Sequence, residues 1–215
     1  MAPQPTTAAS RGRRPNNDSP DVKLSKLLSY ILRHGAAKEG LHMRDDGSIA
    51  LSELKKHHKL AKVSFEQIKH IVDTNDKKRF VLFQDEGPDA PWYIRASQGH
   101  SIRVQQLPLV KLTRKTMPDC IIHGTLKRNL PAIKEKGLSK MNRNHIHFAT
   151  GLFADEAVVS GMRATADTFI YIDKAKALDA GIEFYQSDNG VVLSEGLDNS
   201  GVIPQQFFQK IVFKD

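Results

Sequence analysis

The hydrophobic period changes partway along this 215-residue chain, and that change limits the fold more than any other feature. Before about residue 105, apolar residues recur at helical spacing and then give way to one hairpin. Past Gln105–Pro108 they come instead in short runs separated by Gly, Asn and Asp. In the first half, Leu24, Leu27, Leu28 and Ile31 stand at i, i+3, i+4 and i+7, the stripe of an amphipathic helix. Ser19 suits its N-cap, Pro20 its first position, and Asp21 faces the positive end of the dipole. The helix should end near Arg33-His34-Gly35. A second helix is expected from Ser52 through Leu54 to about Lys59. A third opens at Ser64, with Gln67 completing a capping box and Phe65, Ile68, Ile71 and Val72 on one face. Phe80–Phe83 and Trp92–Ile94 read as strands around the turn Asp85-Glu86-Gly87-Pro88.

Three short helices followed by a β-hairpin is the order of a winged-helix module, an arrangement that often binds nucleic acid without fixing function. In the second half, Cys120-Ile121-Ile122, His145–Phe148, Phe169–Ile172, Gly190–Leu193 and Ile211-Val212-Phe213 predict a small, mostly β lobe. Two helices should accompany it, one from Thr125 toward Gly137 and one near Ala154–Met162. The expected class is α+β. The expected divisions are a disordered basic tail over 1–19, a winged-helix-like lobe over 20–108 and a second lobe over 109–215.

Composition narrows the function classes. One cysteine, Cys120, excludes an intramolecular disulfide framework and any multi-cysteine zinc site. No stretch approaches the roughly 18 consecutive apolar residues of a membrane span. The start of the chain lacks the apolar region of a secretory signal and reads as a solvated tail, so a reducing compartment, cytoplasm or nucleus, is expected. The net charge is +8, which favours a polyanionic partner. Residues 1–110 hold 18 basic against 12 acidic residues and residues 111–215 hold 14 against 12, so the excess sits in the first half.

Several strings at turns combine Arg, His and Gly. Arg33-His34 closes the first helix, where a cation is favoured by the dipole alone. Lys77-Lys78-Arg79 precedes a strand, where a solvated basic turn is the plain reading. Arg95-Ala96-Ser97-Gln98-Gly99-His100-Ser101 is richer, because Gly99 lets backbone N–H groups approach an anion. His123-Gly124-Thr125 lies where a strand turns into a helix, a place that can hold a phosphate or polar heterocycle. Arg143-Asn144-His145-Ile146-His147 alternates along an expected strand, which puts Arg143, His145 and His147 on one face. Zinc is the weaker reading of that His pair, since no third ligand emerges. His57-His58 beside Lys55, Lys56 and Lys59 reads as a solvated helix end. No Walker A string, Gly-x-Gly-x-x-Gly or Gly-x-Ser-x-Gly elbow is present, and no carboxylate pair stands at a telling position. The residues alone point to phosphate chemistry without a carboxylate-held metal.

Taken together and in order, these strings resemble the NAD-dependent RNA 2′-phosphotransferase family. The matching segments are Leu24–Ala36 (LSKLLSYILRHGA), Asp46-Gly47, Asn75–Phe80 (NDKKRF) and Ile94–Ile102 (IRASQGHSI). They continue with His123-Gly124-Thr125, Gly137–His147 (GLSKMNRNHIH), Phe184–Gly196 (FYQSDNGVVLSEG) and Gly201–Phe208. Single strings of this kind are commonplace; the ordered set is specific and covers roughly residues 22 to 213. The resemblance implies a winged-helix RNA lobe followed by an ADP-ribosyltransferase-like lobe that binds NAD, with no metal. It implies removal of a splice-junction 2′-phosphate from spliced tRNA. The phosphate attacks the ribose anomeric carbon of NAD and nicotinamide leaves. The ribose 2″-hydroxyl then attacks phosphorus, giving 2′-OH RNA and ADP-ribose 1″,2″-cyclic phosphate.

By position, the family's Arg-His-Arg-Arg set falls on Arg33, His34, Arg79 and Arg143. Guanidinium forks grip phosphate bidentately and offset charge on transferring phosphoryl oxygens. The resemblance further assigns NAD to His123, Gly124, Thr125, His145 and His147, with Arg163 as a candidate for its pyrophosphate. RNA phosphates fall to Arg95, Gln98, Gly99, His100 and Ser101. Asn189-Gly190-Val191-Val192 lies where many protein-modifying ADP-ribosyltransferases carry a Glu, which fits phosphate as the nucleophile. One departure stands out. After His-x-His the family pattern has Leu-Ser, and this chain has Phe148-Ala149 followed by Thr150, which displaces a hydroxyl by one residue. The competing readings are a winged-helix RNA binder without catalysis and an ADP-ribosyltransferase acting on phosphate ends or protein. All four residues of the set are intact, which favours the phosphotransferase. A monomer is expected.

Overall fold

Ser19 caps the first helix as its sequence signals require. In the computed structural model, which describes residues 18–87, 89–152 and 161–214, the Ser19 hydroxyl accepts the Val22 N–H at 3.3 Å. Helix α1 runs over Pro20–Tyr30 and continues as a wider π turn, Ile31–Gly35. Such turns recur at functional sites. Then come β1 (Ser48–Ala50), α2 (Leu51–Leu54), α3 (Phe65–Asp73), β2 (Phe80–Gln84) and β3 (Trp92–Ala96). The tail expected over 1–19 lies outside the described residues as far as residue 17.

α3 opens with the expected capping box: the Ser64 hydroxyl accepts the Gln67 N–H, and Gln67 Oε1 accepts the Ser64 N–H. The hairpin β2–β3 is antiparallel, with Leu82 opposite Ile94. Two expectations change. The sheet has a third strand, β1, paired with β3, too short at three residues to show an alternating period. Asp46 Oδ1 accepts both the N–H and the hydroxyl of Ser48 and so starts it. α2 stops at Leu54 instead of reaching Lys59. His57 turns inward, only 6% exposed, against Glu39 at 3.3 Å, and its Nδ1 accepts the Lys59 N–H, which ends the helical path. His57 is therefore a buried ring and not a solvated helix end.

The second half is built from short antiparallel strands. β4 (Val110–Lys111), β9 (Tyr185–Gln186), β10 (Val192–Ser194) and β7 (Ile146–Phe148) form one sheet in the order β4-β9-β10-β7. β12 (Phe208–Phe213), β8 (Thr168–Ile172) and β5 (Ile122–Thr125) form another, and β6 (Leu138–Ser139) pairs with β11 (Val202–Ile203). Helix α4 (Leu130–Lys136) follows a 3₁₀ turn after Thr125 and stops at Gly137, as expected. Of the helix expected near Ala154–Met162, residues 153–160 lie outside the described residues, and Gly161 and Met162 are not helical. Helix α5 (Lys174–Asp179), capped by the Asp173 side chain, is an addition. The architecture is α+β with small sheets.

Apolar packing falls into clusters that respect the change of texture. One gathers Leu28, Ile31, Leu32, Ile49, Leu54, Ile68 and Ile94; another gathers Ile121, Phe148, Ile170, Phe184, Val192 and Ile203. A smaller one joins Ile122, Ala149, Met162, Ala166 and Phe169 beneath β5. Gly196 fixes the path after β10. Its φ of 84° and ψ of −172° suit glycine alone, and a Cβ there would stand 2.4 Å from the Val202 nitrogen. Gly196→Ala should therefore lower unfolding free energy by roughly 2–4 kcal/mol, read by urea denaturation. An unchanged midpoint would contradict the close approach.

Candidate active site

Three separate turns supply the basic side chains of the site. Arg33 and His34 lie in the π turn, Arg79 in the turn entering β2, and Arg143 in the turn between β6 and β7. The stretch Ser97–Ile102, just past β3, bonds to all three. Ser97 donates its N–H to the Arg79 carbonyl (2.9 Å) and its hydroxyl to the Lys78 carbonyl (2.8 Å). The Ser101 N–H reaches the Arg33 carbonyl at 2.9 Å, and the Ser101 hydroxyl lies 2.8 Å from His34 Nδ1. Asn144, next to Arg143, donates its N–H to the His100 carbonyl (3.0 Å) and its amide to the Ile102 carbonyl (2.9 Å).

The guanidiniums are aimed by small residues. Asn75 Oδ1 accepts both the backbone N–H of Arg79 (3.1 Å) and its Nη1 (3.2 Å). Arg33 passes over Gly99, where a Cβ would stand 3.6 Å from Nε. The Nε and Nη2 of Arg33 are buried without a partner. Among the described residues none of Arg33, Arg79 and Arg143 has an ion pair. Burial, with Arg79 and Arg143 nearby, lowers the Arg33 pKa to about 10. Burial and Arg163 lower that of Arg143. Cations gathered without a counter-charge are costly until an oxyanion arrives, and guanidinium forks match its geometry.

Imidazoles line the rest. Burial is the first cause lowering His34, His100, His123, His145 and His147, reinforced by the arginines for His34, His100, His123 and His147. His100 is pushed down to about 3, and His147 lies well below the ordinary value. These rings are neutral at pH 7 and act as hydrogen-bonding groups. His123 Nδ1 lies 2.9 Å from the His147 carbonyl. A carbonyl only accepts, so Nδ1 carries the proton and Nε2 is left as an acceptor. His147 Nε2 is buried and unpartnered, as is His100 Nε2. His145 Nε2 faces Glu195 Oε1 at 3.6 Å.

Several expected positions are corrected. β7 begins only at Ile146, so Arg143 and His145 lie in the preceding turn and do not alternate along a strand with His147. They still converge, since both act electrostatically on His147. Arg95 is 7% exposed and its Nη1 pairs with Asp188 at 2.5 Å; Gln98 and His100 are also buried. Arg95 faces inward because its partner Asp188 lies across the junction between the halves, and only Ser101 of that group is exposed. Gly124 lies directly beneath a neighbouring segment. A Cβ there would meet Met162 at 2.2 Å, so the glycine admits the 161–166 segment over β5. The Thr125 hydroxyl accepts from Asn129. Arg163 is exposed and near enough to lower His123 and Arg143. Phe148 and Ala149 are fully buried, and the Thr150 carbonyl accepts from Cys120 Sγ.

Sequence reasoning missed Asn75, Asn144 and Asp188 as organisers of the site, and Asn189, which donates to the Lys77 carbonyl at 3.0 Å. Asn75, Asn144, Asp188 and Asn189 all sit inside the quoted strings, yet a polar turn residue gives no sign of which group it bonds. Among the described residues no group of three or more His, Cys, Asp or Glu could hold a metal ion, and no helix is long and apolar enough to cross a membrane.

Arginines without counter-charges, beside neutral imidazoles, define a protein that handles a phosphoryl or similar oxyanion. The profile of the RNA 2′-phosphotransferase, Tpt1 / KptA family matches residues 19–196. The chain is 43% identical over 202 residues to tRNA 2′-phosphotransferase 1 of Danio rerio, covering 93% of this chain and 88% of that protein. It is 44% identical over 204 residues to tRNA 2′-phosphotransferase 1 of Homo sapiens, covering 93% and 80%. A putative tRNA 2′-phosphotransferase of Schizosaccharomyces pombe is 43% identical over 202 residues, and there the match spans 53% of the relative's length. The chain belongs to the RNA 2′-phosphotransferase, Tpt1 / KptA family.

Depressed histidine pKa values set an acid limit on stability. Below the ordinary value of 6.5 the unfolded chain takes up protons that buried His100 and His147 refuse. Stability is thus fully present above that pH and falls below it, by about 1.4 kcal/mol per pH unit for each such ring. Urea denaturation at pH 7.5, 6 and 5 should show the decline, and His100→Leu should flatten it. Equal stability at pH 7.5 and 5 would contradict the buried neutral rings.

Proposed function

We propose that this protein is a tRNA 2′-phosphotransferase. It removes an internal 2′-phosphate from spliced RNA by transfer to NAD, and the products are 2′-OH RNA, ADP-ribose 1″,2″-cyclic phosphate and nicotinamide. In this reading residues 20–108 serve as a winged-helix-like RNA lobe and residues 109–215 as an ADP-ribosyltransferase-like NAD lobe, in cytoplasm or nucleus. The observation that carries it is the meeting of Arg33, Arg79 and Arg143 without a carboxylate, with buried Arg33 nitrogens lacking any partner.

Arg33 and Arg79, with His34, grip the RNA 2′-phosphate. Asn75 aims Arg79, and Ser101 fixes the His34 ring, so the phosphate is held before it reacts. Binding a dianion restores charge balance and raises the proton affinity of Arg33 and His34. Arg143 reaches the same phosphate from the other half of the chain and offsets charge on the phosphoryl oxygens during its transfer. Of the Arg95–Ser101 segment, Ser101 is the member left exposed to RNA, while Arg95, Gln98 and His100 support it from behind.

NAD supplies an electrophilic ribose carbon and a neutral leaving group. The residues fit it: the unpartnered Nε2 of His147 can meet a hydroxyl, the acceptor Nε2 of His123 suits hydroxyl and amide donors, and Arg163 suits a pyrophosphate. His145 stands beside them. Asn189-Gly190-Val191-Val192, where many protein-modifying enzymes place a Glu, holds no carboxylate, and the Asn189 amide donates to the Lys77 carbonyl.

The deciding assay incubates the protein with NAD and an RNA carrying one internal 2′-phosphate. Phosphate should be lost with one nicotinamide released per phosphate. Retention of all 2′-phosphate in the presence of NAD would sink the reading. Arg33→Ala should slow the reaction at least about 100-fold. Arg143→Ala should slow formation of 2′-OH RNA more than release of nicotinamide; equal slowing of both would contradict its role in phosphoryl transfer.

A further inference from the structure

A groove of about 620 Å³ runs away from the Arg33–His34–Arg79 cluster between α1 and α3. Its walls include Ser25, Ser29, Tyr30 and Asn75. Volumes of this size suit a ligand of nucleotide scale. The site that holds the phosphate takes up only its end, so the remaining length calls for a ligand continuous with that phosphate.

Tyr30 sets the chemistry of that ligand. It is 40% exposed and lines the groove beside Arg33 and His34. The ring rests on the backbone of Gly35, where a Cβ would stand 2.6 Å from Cε1 and 2.7 Å from Cζ. Gly35 lies in the π turn with no unusual φ, so the glycine is required by the ring above it and not by backbone conformation. The chain thereby seats an aromatic ring against the π turn, next to Arg33 and His34, and leaves part of it open to the groove. An exposed ring held beside a phosphate grip is how single-stranded nucleic acid is bound: cations take the backbone and the ring takes a base.

We propose that the groove is a nucleobase subsite, in which Tyr30 stacks on a base of the RNA strand adjoining the 2′-phosphate. The subsite rests on the phosphotransferase reading for the identity of its ligand. Stacking tolerates any base, since every base has a π face. The protein therefore grips its RNA at the phosphate and one neighbouring ring, without reading sequence there. Hydroxyls of Ser25 and Ser29 line the same wall and can meet ribose or base edges.

The test uses the full chain and short RNAs with an internal 2′-phosphate, carrying 2-aminopurine or an abasic unit at either adjoining position. Binding to the wild type should quench 2-aminopurine fluorescence at one of the two positions. Tyr30→Leu should abolish the quench and raise KM for RNA about tenfold with kcat little changed, and Tyr30→Phe should restore both. Gly35→Ala, which keeps Tyr30 but displaces its ring, should behave like Tyr30→Leu. The abasic RNA should show the same loss with the wild type and no further loss with Tyr30→Leu.

No quench at either position would overturn the subsite. So would equal KM effects on intact and abasic RNA, or a rise in KM for NAD in place of RNA, which would put the cosubstrate's adenine in the groove. A quench in RNA that never loses its phosphate would leave the base subsite standing and remove the phosphotransferase reading. Phosphate loss without a quench would do the reverse.

Discussion

Mutual repulsion among guanidiniums is the constraint around which this structure is arranged. Arg33 and Arg143 each sit where burial and neighbouring arginines make the charged form costly. Flexible arginine side chains released from such contacts would turn to water. What keeps them is the stretch Ser97–Ile102, whose backbone and hydroxyl groups bond beside Arg33, Arg79 and Arg143 in turn. The energy that holds the charges together is thus drawn from ordinary backbone hydrogen bonds at some distance from the charges themselves. The Arg95–Asp188 pair and the Asn189–Lys77 bond close the same junction from its far side.

The neutral histidines belong to the same design. A protonated ring beside these arginines would add to the repulsion, so burial keeps His100 and His147 uncharged and available as hydrogen-bonding groups. The cost is a set of polar nitrogens without partners, Nε2 of both rings among them. Groups left in that state are commonly found where a ligand completes them.

Much of the fold was legible in local sequence. Ser19-Pro20 and the Ser64–Gln67 box mark helix starts because capping is decided within four residues. The β2–β3 hairpin and the end of α4 at Gly137 follow from equally local signals. β1, β4, β6, β9 and β11 were not legible, since two or three residues carry no readable period and, unlike β7 and β10, these lie in none of the apolar runs that predict strands. In the site, Arg33, His34, Arg79 and Arg143 stand out as a set only through the family resemblance, and the roles given to them are a proposal. The inward turn of Arg95 could not be read. Its partner Asp188 lies 93 residues away, and only tertiary contact decides between a buried ion pair and an open phosphate contact. His57 failed for a similar reason, because a His beside three lysines looks solvated until Glu39 is found beneath it.

The junction between the halves has a mechanical consequence. Arg33 and Arg143 belong to different halves of the chain, and an anion touching both ties one half to the other. Such an anion is a reversible cross-link between positions more than a hundred residues apart, placed where the protein's own charges push its parts away from each other. On the proposed reading the RNA 2′-phosphate is that anion, so the substrate acts for a time as a piece of the scaffold and each turnover takes the cross-link away.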